Sequence, residues 1–535
     1  MVVIVRTAWL CDDSYIALRT VDNFVNGRGL TWNVDERVQT FTCPLWVLLL
    51  SAVYYVTREP FYTTIGVSLA CSVATIGVMV WHGLRRGGAI VLAVTVLTCS
   101  KAFTDYSTSG LENPLTNLLL VGVLTLYLGP ERTGLRRLFI LSLLAALAAI
   151  NRLDTILIVS PAVAVAWWQR RGWAATGVLF IGFVPLAAWL GFATFYYGFA
   201  FPNTAYAKLH AGIPVLSLVL QGFCYYVNSL TWDPVTLAAI VMALLVAAGA
   251  GVRHDSLVAA GRRVLVIEID GRSEWWKYLA VATGIVLYLV YILRIGGDFM
   301  SGRFFAAPLL ASCALLATTT SRWRGWPTAG LTAITLVLGT WPACAPLRSG
   351  SDYGWPDVRN AVASGVWQAP LYDEHGIADE RAFYYGGCGL LRAPCERPFP
   401  TYDFEQDGRR DCAHAADTPI VVCSCIGIRG FYGGPDVHYV DTLALGDPLL
   451  SKLPARDAEK LRIGHWERAL PGGYLETLQT GENRLEDPRL KIYYDRLRTI
   501  IRGDLFDGER IREVVRMAKG RYSVLLKDQP RVPPR

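Results

Sequence analysis

The sequence predicts a polytopic α-helical membrane protein ending in a mixed α/β domain outside the bilayer, and three observations carry that prediction. Of its 535 residues 53% are hydrophobic and only 18% charged, with mean hydropathy +0.33; a water-soluble chain of this length carries more surface charge. Long apolar runs recur as far as Pro342, after which charged, aromatic and Gly/Pro-rich stretches alternate. Lys and Arg fall in the short intervals between the runs, where they set topology. The net charge of +7 is modest, so no nucleic-acid partner is expected.

In chain order, the apolar runs predict spans over 61–82, 87–101, 113–129, 135–150, 155–168, 174–199, 235–250, 276–294, 303–320 and 326–342, with shorter runs at 44–57 and 212–229. Gln221 and Asn228 interrupt the last of these and Asp233-Pro234 follows it, which predicts a helix lying along or re-entering the membrane. The chain therefore divides into a transmembrane part with external loops, 1–343, and a water-facing domain, 344–535, of ordinary domain size.

The basic clusters are Arg85-Arg86, Arg132 with Arg136-Arg137, Arg170-Arg171, the stretch Arg253 to Lys277, and Arg322 with Arg324; these are expected in the cytoplasm. Crossings counted between them put 103–112, 151–154, 201–210, 295–302 and the C-terminal domain on the opposite face. With Asp12 on that face too, 44–82 must contribute one net crossing. Met1 to Cys11 is shorter than the roughly 20 residues of a span and lacks a signal-peptide pattern. Two origins are open: a start site placed too late, which would omit a first helix, or a chain that begins at the surface.

The twelve cysteines divide by position. Cys71, Cys99, Cys224 and Cys313 sit in or beside apolar runs as small hydrophobes. Cys344, Cys388, Cys395, Cys412, Cys423 and Cys425 lie in the exported half, where bridges are permitted; Cys388 with Cys395 and Cys412 with Cys423 are the candidate pairs. Cys423 and Cys425, in a chain with seven histidines, make a thin case for zinc.

Chemistry concentrates in the external loops. Ionised carboxylates in hydrocarbon cost roughly several kcal/mol each, so the adjacent Asp12 and Asp13 must face water at a membrane surface. Ile16, Leu18, Val21, Phe24 and Val25 follow at helical spacing and predict a short amphipathic helix; in the plainer reading, Asp13 caps it and Asp12 is solvated. Asp105 to Pro114, with Glu112, joins two spans, and Asn151-Arg152-Leu153-Asp154 suits a structural ion pair as well as a functional one. Phe201 to Lys208 sets a cation beside aromatics, including Asn203 and Tyr206. Gly296 to Arg303 flanks two helices with Asp298 and Arg303. Carboxylates with separated cations at a bilayer surface suit transfer from a lipid phosphate: a carboxylate takes the proton of an acceptor hydroxyl while Lys or Arg holds the departing phosphate. A membrane glycan or lipid transporter is the competing class, disfavoured by the large exported domain and the loop-borne acids.

The order Asp12-Asp13-Ser14-Tyr15-Ile16, Val21 to Phe24, Gly29 to Asn33 and Thr42 to Trp46 resembles membrane glycosyltransferases of the GT-C class. Among them it is most similar to the terminal beta-1,2-arabinofuranosyltransferases of actinobacterial cell-wall assembly. Ser109 to Pro114, Tyr197-Gly198, Pro202 to Lys208, Gly296 to Arg303, Leu443 to Pro448, Arg462 to His465 with Glu467-Arg468, and Pro471 to Tyr474 extend the match over nearly the whole chain. This resemblance implies a cell-membrane, multi-pass, monomeric enzyme with its active site outside. It also implies inverting transfer from decaprenyl-phosphoryl-arabinofuranose to the end of an arabinan or related glycan acceptor; another polyprenyl-phosphate sugar is the alternative donor. Asp13 or Asp12 is then the expected base, Lys208 and Arg303 the phosphate ligands, and Asp298 or Glu112 the ligands of sugar hydroxyls or of a divalent ion. Asn203 and Tyr206 are further donor-site candidates. The short amino terminus departs from the family, which has a transmembrane helix there.

In the exported half, Gly427, Gly430, Gly433 and Gly434 interleave with aromatics near Asp436 and His438 as an irregular sugar-contacting loop would. His465, Trp466, Glu467 and Arg468 are acceptor-binding candidates through stacking and charge-assisted hydrogen bonds; packing against the membrane half is the competing reading for both groups. The basic tail from Arg510 to Arg535 is expected to be solvated or surface-bound. No P-loop or dinucleotide fingerprint occurs, so no nucleotide cofactor is expected. Asp12 and Asp13 could hold Mg2+ or Mn2+, although an adjacent pair alone does not establish a metal.

Overall fold

The computed structural model describes residues 1–83, 88–129, 134–249, 252–259, 262–269, 275–320, 325–349, 353, 372–393, 400–456 and 462–526. Arg85, Arg86, Arg132, Arg322, Arg324, Cys395 and the tail from residue 527 lie outside them.

Two helices open the chain, α1 (Val2–Arg6) and α2 (Asp12–Val25), followed by α3 (Pro44–Thr57). Each of the ten predicted spans is helical. They form α4 (Pro60–Gly83), α5 (Gly88–Cys99) with its short continuation α6 (Lys101–Thr104), α7 (Asn113–Leu128), α8 (Leu135–Asn151), α9 (Ile156–Trp168) and α10 (Trp173–Tyr197). After α11 (Asn203–Leu209) and α12 (Val215–Trp232) come α13 (Pro234–Gly249), α14 (Trp275–Ile295), α15 (Ala306–Thr319) and α16 (Gly325–Leu338). Among the described residues α4, α10 and α14 are each long and apolar enough to cross a membrane alone. α5 and α6 meet at 73° and α12 and α13 at 107°, as broken spans or re-entrant segments do. This helical content suits a multi-pass membrane protein.

The two short runs have separate explanations. α3 stays beside α2 along its length: Tyr54 donates to Asp22 (2.8 Å) and Arg58 to Asn26 (3.0 Å). The chain then reverses at Arg58, in the left-handed region at φ 54, and Glu59 accepts from the first N–H groups of α4. Of α3 and α4, α4 is the one long and apolar enough to cross a membrane alone. In α12 the interrupting polar residues face the protein, Gln221 donating to the His375 carbonyl (2.9 Å) and Asn228 to Asp373 (2.8 Å). Leu216, Leu220, Phe223, Val227 and Leu230 are exposed on its other side.

Between α13 and α14, where the sequence showed only a basic stretch, lies an antiparallel hairpin of β1 (Val252–Ala259) and β2 (Arg262–Ile269). The C-terminal half is mixed α/β: α17 (Glu380–Cys388), α18 (Asp403–Ala413), a parallel pair β3 (Ile420–Cys423) and β4 (His438–Asp441) joined through α19 (Ile428–Tyr432), then α20 (Tyr474–Thr480), α21 (Pro488–Arg502) and α22 (Gly508–Ala518). α22 orders the first part of the tail expected to be solvated. The candidate bridge between Cys412 and Cys423 is not formed: Cys412 is exposed at the end of α18, its sulfur against Gly434, whereas Cys423 is in β3. Cys388 is buried and free, and its candidate partner is outside the described residues.

This half is built into one end of the helical bundle. Lys101 bridges Asp105 and, at 2.8 Å, Asp379, while Arg381 reaches Asp105 at 2.7 Å, all four side chains buried. A buried ion pair left without one partner costs about 3–5 kcal/mol, so this network ties the two halves in a single register.

Candidate active site

A cavity of about 680 Å³ lies where the two halves meet. Its walls come from the start of α2, the turn before α7, Arg152 to Asp154, α11, the Arg303 turn, α17 and the loops at 424–426 and 462–467. The loops that the charge count assigned to one face are therefore gathered at one end of the molecule.

α2 begins at Cys11, whose backbone is extended, and both acids occupy its first turn, where the helix dipole favours negative charge. Neither side chain caps the helix. Their environments reverse the plainer reading: Asp12 is buried, and its two oxygens accept from the backbone N–H groups of Gly427 (3.0 Å) and Ile428 (2.7 Å). Burial nevertheless pushes its carboxyl up to about 7, with Asp13 adding to the rise. Asp13, one position on, points into the cavity and makes no hydrogen bond to the described residues. Burial also raises Asp13, opposed by Arg303 and Lys208.

The cations are held differently. Arg303 is fixed by Glu112 (3.3 Å) and Asp298 (3.5 Å), and its Nε has no partner among the described residues. The same Glu112 oxygen takes Arg152 at 2.7 Å, and Arg152 pairs with Asp154 at 2.5 Å. Glu112 thus orients two arginines. Lys208 reaches the cavity from α11 without an ionic partner among the described residues. Arg462, present in the sequence reading only as part of a motif, lies over the rings of Tyr372 (4.9 Å) and Phe299 (5.5 Å) and completes a basic wall. His465 lines the cavity edge-on to Phe299 at 4.3 Å, and burial, reinforced by Arg462, lowers its pKa to about 3, so it is neutral. Glu467 lines the cavity as well.

Six candidate residues stand elsewhere. Asp298 is buried behind Arg303 and accepts from the Phe299 N–H (2.9 Å). Asn203 donates to the carbonyls of Ala444, Leu445 and Asp447 at 3.0–3.1 Å. Tyr206 packs over the Lys452 ammonium (3.4 Å). Trp466 is buried with Ile463, and Arg468 donates to the carbonyls of Leu453 (2.8 Å), Trp466 (2.5 Å) and Ala207 (2.6 Å). His438 bonds Asp35 (2.9 Å) beside a separate cavity of about 280 Å³. Asn203 and Arg468 are clasps that hold α11, and with it Lys208, against the C-terminal half.

The glycine-rich loop is also packing. A Cβ at Gly427 would lie 1.9 Å from the Asp12 carbonyl oxygen and one at Gly433 1.9 Å from the Tyr439 hydroxyl. These glycines let α19 close on α2 and on β4. Glu380 was missed by the sequence reading, since one Glu among charged neighbours carries no motif. It lines the cavity from α17, and burial together with the nearby Asp13 pushes its carboxyl up to about 8.

Each Asp12 oxygen already accepts one backbone N–H, so a divalent ion shared by Asp12 and Asp13 would have to use the lone pairs that those bonds leave free. No group of three His, Cys, Asp or Glu suited to a metal occurs among the described residues.

The chain is 26% identical to a terminal beta-(1->2)-arabinofuranosyltransferase of Mycobacterium tuberculosis, covering 86% of this chain and 81% of that protein. It is 28% identical to the terminal beta-(1->2)-arabinofuranosyltransferase of Corynebacterium glutamicum, covering 90% and 78%. No family model matches the chain, and no solved structure matches it. The two similarities, each spanning most of both chains, support a common superfamily and a general transferase activity.

Proposed function

We propose that this protein is a GT-C type glycosyltransferase that moves arabinofuranose from a polyprenyl-phosphate donor to the terminus of a cell-wall arabinan, forming a beta-1,2 linkage on the extracytoplasmic face. The observation that carries the reading is the Asp13 carboxyl, unpartnered among the described residues, in a cavity that also holds Arg303, Lys208 and Arg462. Arabinofuranose and the linkage come from the two relatives; the base and the cationic wall come from the site.

In a single displacement Asp13 accepts the proton of the acceptor hydroxyl as its oxygen bonds to the anomeric carbon. The bond from that carbon to the phosphate oxygen breaks, and the polyprenyl phosphate leaves with the electron pair. Charge gathers on the phosphate in the transition state, where guanidinium and ammonium donors already in place stabilise it most. Glu112 and Asp298 hold Arg303 in advance, so little reorganisation accompanies the step. A product whose anomeric configuration is opposite to that of the donor marks this course.

The test is transfer by purified protein in lipid nanodiscs from polyprenyl-phosphate arabinofuranose to a synthetic arabinan fragment. Asp13→Asn should lower kcat by about 10²–10⁴-fold while the donor still binds and the protein still folds. Near-normal turnover would move the base elsewhere. Retained configuration with sugar attached to an Asp13 peptide would replace single displacement by a covalent intermediate. Substrate flux in liposomes without any transfer would make the protein a transporter.

A further inference from the structure

Among the described residues, Glu380 is a cavity acid of the C-terminal half that stands beside a wall of aromatic rings. Its helix is anchored independently: Asp379 caps α17 by accepting from the Ala382 N–H (3.0 Å) and pairs with Lys101. Glu380, Phe383 and Tyr384 follow at i, i+3 and i+4, so they share one face of α17, and all three line the cavity with Tyr372. The Glu380 residue is only 6% exposed, yet its carboxyl has no hydrogen-bond or ionic partner among the described residues. Its oxygens open onto the cavity, where a ligand can take the place of water as their hydrogen-bond partner. A carboxyl beside flat rings is what a sugar requires, since its hydroxyls need paired donors and acceptors and its C–H face stacks on aromatics.

We propose that Glu380 binds the acceptor sugar. As a neutral acid it donates its proton to one hydroxyl oxygen, accepts from a neighbouring hydroxyl through its carbonyl oxygen, and so presents the reactive hydroxyl to Asp13. This deepens the transferase reading and rests on it. The groups facing Glu380 are Asp12, Asp13 and Cys11 around the start of α2, Asp298 of the Arg303 turn, Arg462, and the tyrosines 106, 372, 384 and 402. Burial, reinforced by Asp13, Asp298 and Asp12 and opposed by Arg462, pushes the Glu380 carboxyl up to about 8.

The experiment compares wild type, E380Q and E380A as full-length protein in nanodiscs, using polyprenyl-phosphate arabinofuranose and an arabinofuranose disaccharide, with KM measured for each substrate across pH. E380A should raise the acceptor KM about tenfold or more, the loss expected for roughly 1.4 kcal/mol of binding, and leave the donor KM unchanged. E380Q keeps an uncharged donor and acceptor; it should restore most acceptor affinity and abolish the fall in kcat/KM that wild type shows above pH 8. An unchanged acceptor KM in E380A, or a wild-type alkaline fall in E380Q, overturns the proposal. So does an E380Q protein as inactive as D13N, which would make Glu380 the base. If wild type transfers nothing, the transferase reading fails separately, and the disaccharide alone is titrated by saturation-transfer NMR. Binding by wild type that E380A loses then sustains the acceptor site, and absence of binding overturns it.

Discussion

Two adjacent carboxylates of one helical turn have opposite tasks because consecutive helix positions point about 100° apart. Asp12 turns into the C-terminal half and receives two N–H groups; Asp13 turns into the cavity. The sequence showed that the pair had to meet water, but the N–H groups that claim Asp12 lie more than 400 positions downstream, so nothing local could separate the two. A pH signature follows. Asp13 must be ionised to act as a base and its pKa is raised, so kcat/KM should rise with pH on the acid side, a limb that Asp13→Asn removes. Asp12 is held at about 7 in the folded protein, above the ordinary carboxylate pKa near 3.9. Between those values the unfolded chain has lost a proton that the folded one keeps, so this contribution to stability is complete below about pH 4 and is lost as pH rises through 7. Asp12→Asn sets an NH2 against one of the two N–H groups and costs about 1 kcal/mol. Thermal unfolding of that variant should show a lower Tm at pH 5 and a shallower decline from pH 5 to 8 than wild type; an unchanged slope would remove Asp12 from the pH dependence.

At the scale of elements, the apolar runs identified ten helices because burial or lipid contact imposes the same demand on every residue of a run. Elements defined by a partner were less legible. α12 was visible through Gln221 and Asn228, whose amides face Asp373 and the His375 carbonyl. The glycines near α19 suggested a ligand loop, whereas they permit contact between helices; a missing Cβ records closeness without saying to what. Arg19 of α2 completes that contact, donating to the Gly430 carbonyl of α19 and to the carbonyls of Trp32 and Val437, each of the last two at 2.8 Å, with its guanidinium 4.6 Å from the Trp32 ring. Gly427→Ala therefore tests the docking of α19 on α2. Its Cβ would meet backbone oxygen at 1.9 Å, which no side-chain rotation relieves. Overpacking of this kind costs about 1–3 kcal/mol. The variant should lose most transfer activity and unfold at lower temperature in detergent, while its far-UV circular dichroism keeps the helical signal. Wild-type activity and Tm would mean that the contact is not needed.

Across the whole molecule, the cavity is assembled from α2 at one end of the sequence to Gly464 and Glu467 near the other, so its membrane-half loops were legible through the charge count and the family resemblance, and its C-terminal members less so. Glu380 and Arg462 acquire their roles from the closing of the two halves, which a linear reading does not contain. Orientation can be argued from the opposite end of the bundle. Trp81, Trp168, Trp173, Trp276 and Trp326 are exposed there, at the helix ends farthest from the cavity, and Arg170 and Arg171 sit between two of them. Aromatic belts mark bilayer interfaces and basic loops mark the cytoplasm, so this end should be cytoplasmic and the cavity extracytoplasmic. Cys412, exposed on α18, provides a native reporter for the cavity side, and Trp173, 94% exposed, a position for one on the other. In spheroplasts a membrane-impermeant maleimide should label Cys412 directly; in a Cys412→Ser background, which removes that signal, it should label Trp173→Cys only after permeabilisation. Direct labelling at position 173 with protection of Cys412 would invert the molecule. The proposed transfer would then have to draw on a cytoplasmic donor, and a glycan acceptor outside the membrane could not reach Asp13.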